Sequence, residues 1–177
     1  MSRQHRPLIA RPAFLSALGA AGAALVLSTS AFAADTLSAH DQAFVATVSQ
    51  GGMFEVEASK VAVDKAEAQD IKDMANTEVH DHEGVGAKLK KIASDNGDDF
   101  PTDLNADFTH RVDKLKSLSG KEFDAVYTAE MRRIHAMDGA AFMKEAHTGQ
   151  NADLKAFAAE TSGIVQMHIG AWQKAHQ

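Results

Sequence analysis

Four residues with metal-binding side chains fall where a predicted helix requires an inward-facing side chain. His82 shares one helical face with five small or apolar residues: Ala75, Val79, Gly86, Leu89 and Ala93. A polar group that faces a core needs a hydrogen-bonding or ionic partner. Three other helical segments each supply one candidate on their own inward face, namely Glu55, His135 and His168.

One carboxylate and three imidazoles, each from a different helix, form a candidate ligand set for a single divalent transition-metal ion. Imidazole and carboxylate together suit Zn or Fe best and also suit Cu or Ni, whereas Ca and Mg prefer oxygen ligands. If all four residues bind, the site is closed and structural. If only three bind, one position remains for water or substrate.

The sequence leaves two further carboxylates and one alternative explanation open. Asp138, one turn beyond His135, is a candidate additional ligand. Glu78, one turn before His82, is a candidate either to bind the ion or to orient that imidazole. The alternative is that the histidines are ordinary core residues, hydrogen-bonded to carboxylates such as Glu55 and Asp138. Three histidines in register on separate helices favour the metal site.

The spacing of these residues does not match a ferritin-type di-iron centre. That centre needs a Glu from each of two helices and a Glu-x-x-His motif from each of the other two. The nearest approximations are Glu78 with His82, four residues apart, and Glu130 with His135, five apart. The sequence also contains no Gly-rich phosphate loop or nucleophile elbow. We therefore predict a binding site and assign no turnover reaction.

Residues 1–33 have the pattern of a secretory signal peptide. Three arginines and no acidic residue precede an apolar run over residues 13–27, and Ala31-Phe32-Ala33 is a small-x-small cleavage pattern. The apolar run is shorter than the roughly 20 residues that a transmembrane anchor needs. We therefore expect export, cleavage after Ala33, a periplasmic mature chain with no inserted segment, and a single domain over residues 34–177.

Charge and cysteine content exclude several classes of function. Removal of residues 1–33 takes away three of the 18 basic residues and none of the 24 acidic ones, which leaves 15 against 24 and a net charge of −9. This balance disfavours nucleic acid and anionic membranes as partners and suits a site that attracts cations. The absence of cysteine excludes disulfides, thiolate metal sites and a lipoprotein anchor.

Helical spacing of apolar residues runs through most of the mature chain. It predicts four long helices, over residues 38–64, 70–94, 119–148 and from 151 onward, and a shorter one over residues 104–118. Hardly any segment alternates with period two, so strands are not expected. We predict an all-α, ferritin-like four-helix bundle with a short crossing helix between the second and third long helices.

Two local features refine this prediction. The pair Gly51-Gly52 lies inside the first helix, where each glycine costs about 1 kcal/mol relative to alanine. That cost indicates either a close approach of another helix or room for something to bind beside Glu55. Ser119 followed by Glu122 is a capping box, which predicts that the third long helix begins there.

Several segments resemble a bacterial family of exported proteins, known as domain of unknown function 4142. They are Gly51-Gly52-Met53-Phe54-Glu55-Val56-Glu57, Asp81-His82, Leu118-Ser119-Gly120, His135, Leu154-Lys155-Ala156-Phe157-Ala158 and His168. The resemblance covers nearly the whole mature chain. It implies a ferritin-like bundle in the periplasm or attached to the envelope, with Glu55, His82, His135 and His168 at its recurrent polar core positions.

The resemblance implies no reaction, because the activity of that family is not established. This chain departs from the family pattern at Ile134-His135, where an Asp-His pair like Asp81-His82 is expected. A supporting carboxylate beside His135 is therefore in doubt.

Three functions are compatible with these observations. The first is binding of one transition-metal ion through the four residues, in metal buffering or storage or in envelope stress. The second is a metal-free envelope-stress or adaptor protein, whose core histidines are structural and whose function lies on an acidic surface. The third is a metalloenzyme with an open coordination position, which the residues support least. The sequence identifies no protein partner.

Overall fold

The computed structural model describes residues 36–174. Five α-helices and no strand occupy this range: α1 Ala39–Lys65, α2 Gln69–Asp95, α3 Ala106–Ser117, α4 Gly120–Thr148 and α5 Ala152–Lys174. The predicted all-α class is confirmed, and the predicted helix boundaries agree within a few residues. The predicted signal peptide lies outside the described residues. Over residues 36–174, no helix has the combined length and apolar character needed to cross a bilayer.

The four long helices surround one interior. α1 packs along α2 and α4 packs along α5, and α1 also contacts α4 while α2 contacts α5. Only residues 66–68 join α1 to α2 and only residues 149–151 join α4 to α5, and such short connections make the paired helices antiparallel neighbours. α3 packs against α1 and α4 and buries Phe108, Val112 and Leu115 in the core.

Two buried aspartates hold these short connections in place. The carboxylate of Asp124, on α4, accepts hydrogen bonds from two backbone N–H groups ahead of α2, at 3.0 and 2.9 Å. The carboxylate of Asp41, on α1, accepts from the backbone N–H groups of Gln150 and Asn151 ahead of α5, at 2.9 and 3.1 Å. Each aspartate therefore satisfies backbone donors at a helix start on another part of the bundle.

The predicted capping box correctly places the start of α4, but the capping hydrogen bond from its serine is absent. Ser119 is the N-cap residue of α4, but its side chain makes no capping hydrogen bond. Gly120 follows with a φ of 59°. The chain thus enters α4 through a left-handed residue, which differs from the geometry that a capping box requires.

Two apolar clusters fill the interior, and a polar layer lies between them. The first cluster includes Tyr127 and Trp172, and the second includes Phe44 and Phe142. Along α2, α4 and α5, the members of the two clusters lie on opposite sides of a buried histidine. The bundle therefore stabilises itself by apolar packing above and below a layer that carries titratable side chains.

Candidate metal centre

Four buried side chains from three helices meet in the polar layer. Glu78 and His82 lie on successive turns of α2, His135 lies on α4 and His168 lies on α5. One carboxylate or imidazole atom from each residue lies within 4.8 Å of the corresponding atoms of the other three. Each residue is at most 6% exposed. We call these four residues the central cluster; it could hold a metal ion.

The carboxylate of Glu78 lies among the three imidazoles. Its Oε2 atom is 3.1 Å from Nε2 of His82, 3.2 Å from Nε2 of His135 and 3.0 Å from Nδ1 of His168. Nε2 of His135 and Nδ1 of His168 are themselves 3.2 Å apart. In a tetrahedral zinc site with bonds of about 2.0–2.1 Å, neighbouring ligand atoms lie about 3.3 Å apart. The spacing in the central cluster is close to that value.

The outer nitrogens of two imidazoles donate to oxygens outside the cluster. Nδ1 of His135 is 2.8 Å from the carbonyl oxygen of Met131, and Nε2 of His168 is 3.0 Å from Oδ2 of Asp81. A carbonyl or carboxylate oxygen accepts hydrogen bonds, so these contacts place the N–H groups outward. If both rings are neutral, their inner nitrogens present lone pairs to each other. This arrangement is stable only with a proton or a metal cation between them.

Glu55 lies at the outer side of His82. Its Oε2 atom is 3.1 Å from Nδ1 of His82, and its Oε1 atom is 3.5 Å from Nδ1 of His135. Both carboxylate oxygens of Glu55 lack a hydrogen-bond partner, as do Oε2 of Glu78 and Nε2 of His82. Unpartnered buried polar atoms are rare in proteins. Two of these four atoms, Oε2 of Glu78 and Nε2 of His82, belong to the central cluster, where a bound cation would satisfy them.

The indole of Trp172 fixes the orientation of Glu78. Its Nε1 atom donates a 2.6 Å hydrogen bond to Oε1 of Glu78 in the core, which leaves Oε2 facing the imidazoles. Burial alone would raise the pKa of Glu78, but the imidazoles of His135, His168 and His82 outweigh burial and hold the pKa well below its usual value. Glu78 therefore stays ionised, as a metal ligand must.

The histidines divide between neutral and charged forms. Burial lowers the pKa of His82, and Glu78 opposes that shift only in part. Burial also acts against the charged form of His168, but Glu78 and Asp81 outweigh it and raise the pKa. A proton in the central cluster therefore belongs on His168. A metal ion would compete with that proton and release it on binding.

Comparison with known proteins places the chain in a family. The family model described as a domain of unknown function, DUF4142, matches residues 26–175. The chain belongs to the DUF4142 family. No curated protein matches the chain. A solved structure, the crystal structure of a DUF305 fragment from Deinococcus radiodurans, is similar with a TM-score of 0.69, covering 79% of this chain and 97% of that chain at 9% identity. This likeness shows the fold alone, a ferritin-like helical bundle.

Three of the four residues predicted as ligands come together in this DUF4142 protein. His82, His135 and His168 belong to the central cluster. Glu55 is fully buried beside them and contacts the outer side of His82, while Glu78 supplies the carboxylate among the imidazoles. Glu78 had been considered as either a ligand or an orienting group, and its position fits a ligand. The role of all five side chains toward a metal ion stays a prediction.

Val79 was predicted on the inward face of α2, and the structure has Glu78 there. Val79 is half-buried, whereas Glu78 is 2% exposed. Residue 78 lies three positions after buried Ala75 and four before His82, which is regular inward spacing. The apolar character of Val79 pointed to the wrong member of the pair.

Supporting groups also differ from those that the DUF4142 pattern implies. Asp81 contacts His168 on α5 instead of its sequence neighbour. For His135, where the expected aspartate is replaced by Ile134, the backbone carbonyl of Met131 one turn earlier accepts the outer N–H. An aspartate is therefore not needed at residue 134 to fix the ring.

Asp138 lies outside the central cluster, against Gly51. A Cβ atom at residue 51 would overlap the carboxylate of Asp138, while a Cβ atom at Gly52 would meet no atom within 4 Å. The two alternatives raised by the glycine pair therefore each hold for one residue: close approach at Gly51 and open space at Gly52. Burial raises the pKa of Asp138 to about 7. Burial, with Asp138 and Glu78 nearby, raises the pKa of Glu55 well above its usual value.

Proposed function

We propose that this protein binds one divalent transition-metal ion through Glu78, His82, His135 and His168 and serves as a metal buffer or store in the periplasm, including under envelope stress. The observation that carries the proposal is the direction of the hydrogen bonds. The outer nitrogens of His135 and His168 are both committed to acceptors. Their inner nitrogens therefore face the ionised carboxylate of Glu78 in a buried layer, at 3.2 and 3.0 Å.

The donor set supports zinc or iron as the ion. Three imidazole nitrogens, which are borderline donors, outnumber the one hard carboxylate oxygen, so the set binds Zn, Fe, Cu and Ni in preference to Ca or Mg. The edges of 3.0–3.2 Å around Glu78 suit the tetrahedral geometry that zinc adopts in closed sites. Zinc or iron is therefore the ion to test first, and copper and nickel follow.

Four protein ligands favour holding an ion over reacting at it. Catalytic zinc sites keep one coordination position for water or substrate, whereas structural sites use four protein ligands. The central cluster supplies four ligand atoms, and each of its residues is at most 6% exposed. We therefore assign storage or buffering and no turnover.

Zinc analysis of tag-free protein tests this proposal. Wild type is expected to bind one zinc per chain and to gain about 2.7 kcal/mol in unfolding free energy at a free ion concentration about 100 times Kd. The double variant His82→Ala/His168→Ala is expected to lose both effects. Chelator-treated protein provides the ion-free reference for both measurements.

A matched control removes two histidines from the surface. His110 and His147 are exposed, so the variant His110→Ala/His147→Ala should bind and melt like wild type. Equal, substoichiometric zinc in wild type and in His82→Ala/His168→Ala, with identical melting in added metal, would contradict the proposal. The histidines would then be structural core residues, as in a metal-free adaptor protein.

The proposed location rests on residues 1–33, which carry the signal-peptide pattern. Mass spectrometry of the protein expressed with its full sequence tests it. The mature chain is expected to begin at Ala34 and to be recovered in the periplasmic fraction. Recovery of an uncleaved chain from the cytoplasm would contradict this location.

A further inference from the structure

A cavity of about 240 Å³ lies between α1, α2 and α4 and reaches the outer side of the central cluster. Its lining runs from Glu57 and Glu83, which are exposed, to Glu55 and His82, which are buried. The cavity thus connects solvent with His82 of the central cluster.

Two buried carboxylates line the inner part of this cavity. Glu55 is fully buried, and neither of its oxygens has a hydrogen-bond partner. Asp138 is 3% exposed and lines the same space. Burial of a carboxylate that lacks a hydrogen-bond partner, as Glu55 does, is costly unless a cation or a proton satisfies it. The inner cavity therefore attracts a positive ion next to His82.

The mouth of the cavity is also acidic. Glu57 and Glu83 lie at the surface, and the exposed ammonium of Lys60 is 3.7 and 3.1 Å from their carboxylates. Surface ion pairs of this kind are weak and exchange readily with water. An arriving divalent cation can therefore replace the lysine and move inward to the second pair of carboxylates.

Glycines keep the passage open. Gly52 of α1 and Gly86 of α2 both line the cavity, and a Cβ atom at either position would meet no atom within 4 Å. Glycine is less favourable than alanine inside a helix, and no close contact at either position requires it. A side chain added at either position would begin in the open space of the cavity.

We propose that this cavity is the route by which a divalent metal ion reaches and leaves the central cluster, with Glu55 and Asp138 as an intermediate binding point. The inference rests on the proposed function, because it concerns traffic to the same ion site. Obstructing a route and removing a ligand have different effects on the rates and the affinity of metal binding. Obstruction of a route slows association and dissociation equally and leaves the equilibrium affinity unchanged.

Stopped-flow absorbance with Co²⁺, a spectroscopically visible substitute for zinc, tests the route in Gly52→Leu. Both rate constants are expected to fall about tenfold, because the ion must wait for the obstructing side chain to move, with Kd unchanged. Gly84→Leu is the matched control, since Gly84 lies on exposed α2 surface outside the cavity. It gains the same helix propensity and should keep wild-type rates.

A second variant tests the intermediate binding point without altering size. Above pH 7, where the Asp138 carboxyl is ionised, Asp138→Asn removes its negative charge from the cavity, and Co²⁺ association at pH 8 is expected to slow about fivefold because the focused attraction for the cation weakens. Unchanged rates in both Gly52→Leu and Asp138→Asn, with normal Co²⁺ affinity, would overturn the route alone. Absence of Co²⁺ binding in wild type would overturn the proposed function and the route with it.

Discussion

Two groups of titratable side chains in this bundle could each hold a metal ion, and they satisfy their polar atoms in opposite ways. The central cluster combines Glu78 with three histidines, and the second group combines His40, Asp41 and Glu145 near the start of α1. In both, the ligand atoms lie within 4.8 Å of one another. Distance alone therefore does not separate them.

In the second group, hydrogen bonds account for Asp41 and a proton accounts for Glu145. Both oxygens of Asp41 accept backbone N–H groups ahead of α5, and one also accepts from Ser38. Both carboxylate oxygens of Glu145 lack a hydrogen-bond partner, and burial, then the neighbouring Asp41 carboxylate, raises the pKa of Glu145 to about 7. A protonated Glu145 can donate to Asp41, and Nε2 of His40 is 3.2 Å from Oε2 of Glu145. Asp41 thus serves as a helix cap.

The central cluster makes its hydrogen bonds on its outer side, at His135, His168 and Oε1 of Glu78. Oε2 of Glu78 and Nε2 of His82 face inward and have no hydrogen-bond partner, so a proton and a metal ion compete for the inner positions. Residue types and proximity therefore do not define a metal site by themselves. A metal site also needs ligand lone pairs that remain free after every hydrogen bond has been assigned.

Removal of one carboxylate from each group is expected to give the largest contrast. Glu78→Gln should weaken zinc binding by about 100-fold or more, because the ionised ligand that balances the charge of the ion is lost. Glu145→Gln should leave zinc affinity unchanged. Competition titration with a chromogenic chelator measures both. Similar losses in the two variants would mean that the two groups do not differ as described.

The reverse contrast is expected for stability. Asp41→Ala should lower the unfolding free energy by about 2 kcal/mol, because two backbone N–H groups ahead of α5 lose their charged acceptor. Zinc affinity should not change. Asp124→Ala, which removes the equivalent acceptor ahead of α2, should cost a similar amount. Urea denaturation in the presence of chelator checks both, and a loss below about 0.5 kcal/mol in each would refute the capping role.

A smaller loss of zinc affinity is expected when the hydrogen-bond acceptor of His168 is removed. Asp81→Ala removes the acceptor of its outer N–H, which should weaken zinc binding about tenfold. Water can partly replace this contact, since the Asp81 side chain is 28% exposed. Asp73→Ala, an exposed position on the same helix, is the control. Equal affinities of the two variants would show that Asp81 does not position the ring.

Helical spacing in the sequence predicted part of the central cluster, and the rest depends on contacts between helices. The inward spacing on four helices predicted the bundle and brought out His82, His135 and His168, because helical periodicity is a local property. Glu78 was harder to assign because an apolar neighbour, Val79, fits a hydrophobic stripe better. The 2.6 Å bond from Trp172 that fixes Glu78 joins residues far apart in the chain, so no local pattern records it.

The hydrogen-bond acceptors of His135 and of the helix starts could not be predicted from the sequence for the same reason. The acceptor for His135 is the backbone carbonyl of Met131, and every residue type carries such a group. The acceptors at the two short connections, Asp41 and Asp124, each serve a helix start on another segment. Their roles depend on which helices pack together, which the spacing within one helix does not determine.

The last effect is the pH dependence of stability, which we expect to depend on Glu145 in the second group. The folded-state pKa of Glu145 is raised to about 7 from an ordinary value of 4.5, so the folded protein holds this proton more tightly than the unfolded chain. Its stabilising contribution is present below about pH 4.5 and is lost as pH rises through about 7. Asp41 dominates this shift after burial, while Lys144 and Lys155 oppose it.

Glu145→Gln mimics the protonated side chain at every pH and isolates this contribution. The variant should gain stability relative to wild type as pH rises from about 4.5 to about 8. Urea denaturation across that range, with chelator present, gives the difference. A difference that is constant with pH would show that Glu145 titrates normally in the folded protein.

Anomalous diffraction at the zinc absorption edge, from crystals grown with one equivalent of zinc, would locate the ion relative to the two groups. We expect a single strong peak about 2.0–2.2 Å from Oε2 of Glu78, Nε2 of His82, Nε2 of His135 and Nδ1 of His168, and none beside His40 and Glu145. A map with no peak in the central cluster, or with its strongest peak in the second group, would contradict the proposed metal site.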